Sequence, residues 1–357
     1  MLNFTVGPVM TSEKVRKIGG EQTPYFRNEE FSNVMFENEK LMKEMLYASE
    51  DSRVVFITGS GTAAMEATVM NVFNENDNVL IVNGGGFGQR FSDLCKLHDV
   101  SHEEINLEFG CDIDKDTLES YSDKGFTGFL VNICETSSGI YYNLDLICDF
   151  CKKNNIFLVV DAISSFLANP LNMAEKGIDV VITGSQKALA CPPGISIIVL
   201  SEDALERVEN NQCKSMYFDL KDALKNAERG QTPFTPAVSI LLQINARLNE
   251  IQSNGGVEEE IKRIGNLATD FRQRISELPF EIKTESLSNS VTAVFCKRGS
   301  ALEIVDLLKT EYGIWVNPNG GELADKMFRV GHIGDLTIED NDKLIEALYD
   351  LKDKGVI

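Results

Sequence analysis

The sequence predicts an α/β protein with a large lobe on a mostly parallel sheet and a smaller α+β lobe towards the C-terminus. Three observations carry this. Between about residues 50 and 200, short β-branched runs alternate with helical patterns, the alternation that places helices on both faces of a parallel sheet. After residue 236 the pattern changes to long helical tracts, and from about Phe280 short strand-like runs alternate with helices. At 357 residues the chain also exceeds the ~250–300 residues that one hydrophobic core serves well, so two lobes are expected.

Taken in order, the strands are expected over residues 53–58, 78–82, 128–133, 156–161, 180–183 and 195–200, runs rich in Val, Ile and Phe. Helices are expected between them over 62–73, 88–98, 143–154 and 172–176, each opening or closing with Gly, Asn or Asp. ILLQINARLNEIQSNGG and VEEEIKRIGNLATDFRQRISEL then form a long helical tract linking the lobes. VTAVFC and IWVNP read as strands of the second lobe, and ALEIVDLLKTEYG and IEDNDKLIEALYDLKDKG as its helices. Ligands of open parallel sheets bind beyond the carboxyl ends of the strands, so the residues following each strand are where chemistry is sought.

Composition narrows the function classes. A hydrophobic fraction of 43% and a charged fraction of 25% argue against disorder, collagen-like sequence and a disulfide scaffold. The formal net charge of -21 repels phosphate backbones and anionic lipid surfaces, so neither nucleic acid nor membrane is expected as a partner. No run approaches the ~20 apolar residues a membrane span needs, and MLNFTVGPVMTSEKVRK carries no apolar stretch behind a basic one, so a cytoplasmic protein is expected. The eight cysteines point to reduced thiols. Cys148 and Cys151 form a CxxC, but inside a helical pattern that turns both towards a buried face. His98, His102 and His332 have no ligand cluster around them, and no metal site is expected.

Three segments carry chemistry. GSGTAAMEA, residues 59–67, follows the first strand of the large lobe; glycine and small hydroxyl residues at a helix start expose backbone N–H groups that can hold a phosphate. Ser60, Gly61 and Thr62 are the candidates, with an ordinary capped turn as the alternative. In IFLVVDAISSF a buried-strand run ends at Asp161. A carboxylate there points to the crevice and needs a cationic partner such as a protonated pyridinium, unless it merely caps the next turn. In DVVITGSQKALACPPGISIIVL, Lys187 lies in a tight small-residue segment between two strands. A desolvated lysine becomes a neutral nucleophile towards an aldehyde, whereas a solvated one is only a surface charge.

A phosphate cup, a ring-nitrogen carboxylate and an imine-forming lysine thus occur in order at successive strand ends. With NGGGFGQR, ETSSGI, FTPAVS and FRVGHIGD, they give a chain that resembles class V, fold-type I pyridoxal-phosphate aminotransferases over essentially its whole length. The resemblance is strongest to the group holding alanine–glyoxylate, serine–pyruvate and 2-aminoethylphosphonate–pyruvate transaminases.

That resemblance implies a sheet of the seven-stranded type and three regions: an arm over 1–20 packing with the small lobe, a cofactor-binding domain over 21–250 and a small domain over 251–357. It implies pyridoxal 5'-phosphate as cofactor, carried as a Schiff base on Lys187, with Asp161 on the ring nitrogen. Ser60, Gly61 and Thr62 would hold the phosphate, helped by Ser185 or Gln186, and Phe87 would stack on the ring. Thr136 would line the site, with Glu135 supporting the loop. Thr235 would reach the phosphate of a second subunit, which implies a homodimer with shared sites, and the turn over residues 6–9 would fold over the site.

Arg329 matches the residue that binds the substrate α-carboxylate, a task suited to paired guanidinium donors. Read without the resemblance, it is a surface ion-pair residue. Arg27 either meets a distal phosphonate or second carboxylate of the substrate, or pairs with Glu29 or Glu30. The expected activity moves an amino group from an amino acid or aminophosphonate to a small-molecule 2-oxo acid such as pyruvate or glyoxylate. The alternatives are a cysteine desulfurase-like lyase, which usually carries histidine where Phe87 and Gln186 stand, and a catalytically silent binding protein of the same fold.

Overall fold

Fourteen strands, β1 to β14 in chain order, form three sheets in the computed structural model, which describes residues 1–357. The large sheet holds β2 (Arg53–Thr58), β3 (Asn78–Asn83), β4 (Ser101–Asn106), β5 (Gly128–Asn132), β8 (Phe157–Asp161), β9 (Val180–Gly184) and β10 (Ile195–Leu200), in the order β2-β10-β9-β8-β5-β3-β4. Its pairs from β9 to β4 are parallel, while β10 runs antiparallel to both β9 and β2. The expected mostly parallel, seven-stranded sheet is therefore present.

The apolar runs form strands here because both faces of the sheet are covered. Phe56, Val131, Val160, Val181 and Val199 pack into one core. Their neighbours Val55, Leu130, Val159, Val180 and Ile198 pack into a second core on the opposite face, as the two-residue side-chain period of a strand requires.

Two of the elements outside the sequence reading are instructive. The first is β4, whose SHEEIN alternates polar residues at the sheet edge with only Ile105 buried; charge on an edge strand blocks pairing with other chains but erases the apolar signal. The second is the helix Glu29–Leu46, started by the Asn28 side chain accepting from the Phe31 N–H. It buries Phe31, Met35, Met42 and Leu46, each contributing about 1.5–3 kcal/mol of apolar burial. Cys148 and Cys151 lie on the buried face of the helix Leu144–Asn154 as free thiols, and burial pushes the Cys148 thiol up to about 12.

The second sheet joins β1 (Leu2–Phe4), β11 (Phe280–Glu281), β12 (Val291–Cys296), β13 (Ile314–Pro318) and β14 (Met327–Gly331) in the order β1-β13-β14-β12-β11. The helices Gly256–Ile275, Ala301–Glu311 and Ile338–Asp353 supply Phe271, Ile304 and Leu348 to its core, against Phe4, Val316 and Phe328 from the strands. A hairpin of β6 (Cys134–Glu135) and β7 (Ile140–Tyr141) lies just beyond β5.

Candidate active site

The carboxyl ends of β2, β5, β8 and β9 deliver Ser60, Asn132, Asp161 and Lys187. Ser60 is the extended N-cap of the 12-residue helix Gly61–Val72, yet its hydroxyl makes no capping bond, leaving it and the N–H groups of Gly61 and Thr62 for an anion, while the Ala63 N–H donates to the Ser60 carbonyl. Gly61 sits hard against Ile163, and a side chain there would strike the isoleucine. Thr62 accepts a hydrogen bond from Arg90 Nη1 at 3.1 Å. The same guanidinium lies 4.8 Å from the centre of the Phe87 ring. The phosphate candidates and the aromatic candidate are thus tied together by a residue the sequence reading overlooked, although its spacing of three from Phe87 puts both on one helix face.

Glu135 is buried and supports the loop. One oxygen accepts from the Phe87 N–H at 2.9 Å, the other from Ser137 Oγ at 2.8 Å and its N–H at 3.2 Å. Gly85 must be glycine, since a Cβ would lie 2.6 Å from the Glu135 side chain.

Asp161 has no solvent exposure. Its Oδ2 accepts from Asn132 Nδ2 at 2.7 Å and its Oδ1 from the Ile163 N–H at 2.9 Å. Burial outweighs these two donors and pushes its carboxyl up to about 6. Lys187 is also buried, and its Nζ donates to the Val6 carbonyl at 2.7 Å. Burial lowers its amine to about 8, with Arg329 acting in the same direction and Cys134 and Asp161 opposing. An amine in that range is partly neutral near pH 7–8 and can act as nucleophile and base.

Arg329, on β14, forms no ion pair; its Nη1 donates to the Thr136 carbonyl at 3.2 Å and its Nη2 to the Pro318 carbonyl at 3.0 Å. Its Nε is buried without a partner, and burial lowers its pKa. The surface ion-pair reading of Arg329 is therefore corrected: this is a desolvated cation with a spare donor.

Two further expectations meet definite geometry. The Ser185 hydroxyl donates to the Pro192 carbonyl at 2.6 Å, so its proton is engaged inside the turn, and half-buried Gln186 beside it remains the freer of the two. Arg27 pairs with neither Glu29 nor Glu30. It donates to Gln231 Oε1 at 3.3 Å and to the carbonyls of Thr232 and Pro233 at 2.9 and 3.1 Å. It thereby braces the segment leading to exposed Thr235. Lys187, Asp161, Arg329, Thr136, Phe87 and the Ser60 turn lie together, whereas Arg27 is bonded to residues 231–233 and Thr235 is exposed.

The architecture is that of the fold-type I aminotransferases. It superposes on a crystal structure of aspartate aminotransferase of subgroup IV from Thermus thermophilus with a TM-score of 0.91, at 26% identity, covering 98% of this chain and 99% of that one. Residues 20–332 match the family model described as aminotransferase class-V, and the chain belongs to that family. It is 28% identical to L-aspartate–glyoxylate aminotransferase of Paracoccus denitrificans over 94% of this chain and 86% of the relative. It is equally 28% identical to 2-aminoethylphosphonate–pyruvate transaminase of Phocaeicola vulgatus over 97% and 98%.

Membership implies pyridoxal 5'-phosphate as cofactor, and the residues present suit it. Asp161 is a buried carboxylate that two neutral donors leave uncompensated, as a group awaiting a protonated ring nitrogen should be. The uncapped hydroxyl of Ser60 and the desolvated amine of Lys187 suit a phosphate and an aldehyde.

Proposed function

We propose that the chain moves an amino group from an amino acid or aminophosphonate to a small 2-oxo acid of the glyoxylate or pyruvate type, using pyridoxal 5'-phosphate bound to Lys187. The observation that carries this reading is that a buried amine just beyond β9 lies within the charge influence of a buried carboxylate ending β8 and of a guanidinium without an ion pair on β14. When bound, the cofactor supplies the carbon that carries the amino group and a ring that spreads the charge developing at the donor's α-carbon.

The chain's own residues do the rest. Asp161, oriented by Asn132 and the Ile163 N–H, holds the proton on the ring nitrogen. Lys187 takes the proton from the donor's α-carbon as base and, as acid, delivers it to the cofactor carbon that carries the amino group. Arg329 meets the α-carboxylate with its spare donor and fixes the donor's orientation. Ser60, Gly61, Thr62 and Gln186 hold the phosphate, Phe87 covers the ring, and Thr136 lines the pocket while its carbonyl steadies Arg329. Thr235, with the segment Arg27 braces, completes the site of a second subunit in a homodimer. The working units are the arm 1–20, the large domain 21–250 and the small domain 251–357. No helix is long and apolar enough to cross a membrane, and we place the enzyme in the cytoplasm.

The test is an absorbance spectrum of the purified protein with added cofactor, then a panel of amino donors, with Lys187→Ala as control. A visible band that is absent from the control and bleaches with one donor class supports the reading and names the donor. No band in the wild type overturns it in favour of a silent binding protein.

A further inference from the structure

The Lys187 amine and strand β13 of the small sheet are joined through a single residue, Val6. The Val6 carbonyl accepts from Lys187 Nζ at 2.7 Å, and the N–H of the same residue donates to Asn317 Oδ1 at 2.6 Å. Asn317, on β13, is the residue directly opposite Arg329 on β14. The next residue, Gly7, adopts φ +136°, and a Cβ there would lie 2.9 Å from Lys187 Cδ and 3.1 Å from Cε. The arm therefore touches the lysine twice, at its stem and at its amine, and both contacts depend on where Asn317 holds Val6.

We propose that Asn317 is a positioning residue for the lysine. By fixing Val6 through its N–H it sets where the Val6 carbonyl holds the free Lys187 amine, and it ties that place to the strand pair carrying Arg329. This rests on the role of Lys187 proposed above and goes beyond it. The lysine must leave the cofactor and return in every turnover, and a carbonyl acceptor at a fixed point keeps the released amine within reach of the α-carbon instead of free to sample its rotamers. Because Asn317 and Arg329 share one register position, a donor carboxylate that draws β14 inward carries the amine's anchor with it.

The test reads the amine directly. The full chain, resolved from cofactor by an amino donor and dialysis, is mixed with pyridoxal 5'-phosphate between pH 6 and 10. The adduct is trapped with borohydride, and the rate of labelling at Lys187 is measured by peptide mass spectrometry. That rate follows the neutral amine, whose other charged or ionisable neighbours are Cys134, Asp161 and Arg329. A carbonyl acceptor favours the ammonium form, so Asn317→Leu should lower the midpoint by about 0.5–1 unit. Asn317→Asp keeps the acceptor for Val6 and should leave the midpoint at or above the wild-type value. Gly7→Ala, which displaces the lysine from the other side, should lower it as Asn317→Leu does and serves in its place if that variant does not fold.

A fall with both Leu and Asp would mean general loosening and would overturn the positioning role, as would no change in Asn317→Leu and Gly7→Ala. Wild-type protein that takes no label at Lys187 would overturn the assignment of the lysine and this inference with it, a result distinct from a labelled lysine indifferent to Asn317.

Discussion

Asn132 and Asp161 stand directly opposite each other at the ends of β5 and β8, and the amide donates to the carboxylate at 2.7 Å. The contact orients Asp161 without neutralising it, so the native chain carries a carboxyl at about 6 that ordinarily titrates at 3.8. Between those values the native state binds more protons than the unfolded chain, so stability falls as pH rises through that window. Two units correspond to about 3 kcal/mol. Asp161→Asn should therefore melt higher than wild type at pH 8 without cofactor, and the difference should shrink to about 1 kcal/mol near pH 4.5. The same variant should lose about 10³-fold in kcat, since the ring nitrogen loses its charged partner. Melting curves at the two pH values and single-donor kinetics check both halves.

Arg329 offers a test of substrate anchoring. Its donors meet carbonyls and its Nε has no partner, so Arg329→Leu removes no ion pair and should cost little stability. It should lower kcat/KM for the amino donor by about 10²-fold, the value of a charge-assisted pair of hydrogen bonds. Arg329→Lys should recover only part of that, because an ammonium cannot reproduce the planar fork. Steady-state kinetics beside thermal melting separate binding from folding.

Glu135→Gln tests the loop that presents Phe87. The carboxylate accepts three hydrogen bonds, from Phe87 and Ser137, and the amide can replace only some of them. About 1–2 kcal/mol of loop order should be lost, read as roughly tenfold weaker binding of pyridoxal 5'-phosphate by fluorescence titration.

Arg27→Ala addresses donor choice. If Arg27 meets a distal anion, the loss should be about tenfold or more for a dicarboxylate or phosphonate donor and small for alanine. An equal loss with all donors would assign Arg27 solely to bracing the 231–233 segment it is bonded to.

The strands of the large sheet were legible because burial on both faces demands unbroken Val and Ile runs, and β5, β8, β9 and β10 are buried along their whole length. The edge strand β4 escaped notice because edges favour charge. Asp161 and Lys187 stand out because an ionisable residue ending an apolar run is chemically conspicuous. Asn132, Asn317 and the Val6 carbonyl do not. A backbone acceptor has no side chain to read, and an asparagine among many gains meaning only once register sets it opposite Asp161 or Arg329. The partners of Arg27 were illegible for the same reason, being carbonyls about two hundred positions downstream.

The parallel pairing of β1 with β13 also governs the order in which the enzyme can be made. Val6 is 311 positions from the asparagine that holds it. A ribosome adding about 5–20 residues per second leaves on the order of 15–60 s between the synthesis of the two. All seven strands of the large sheet have been translated well before Asn317, so the lysine and carboxylate can be housed while the arm has nothing to pair with. Until residue 317 has been made, the arm's first strand has no partner strand and the Val6 N–H has no side-chain acceptor.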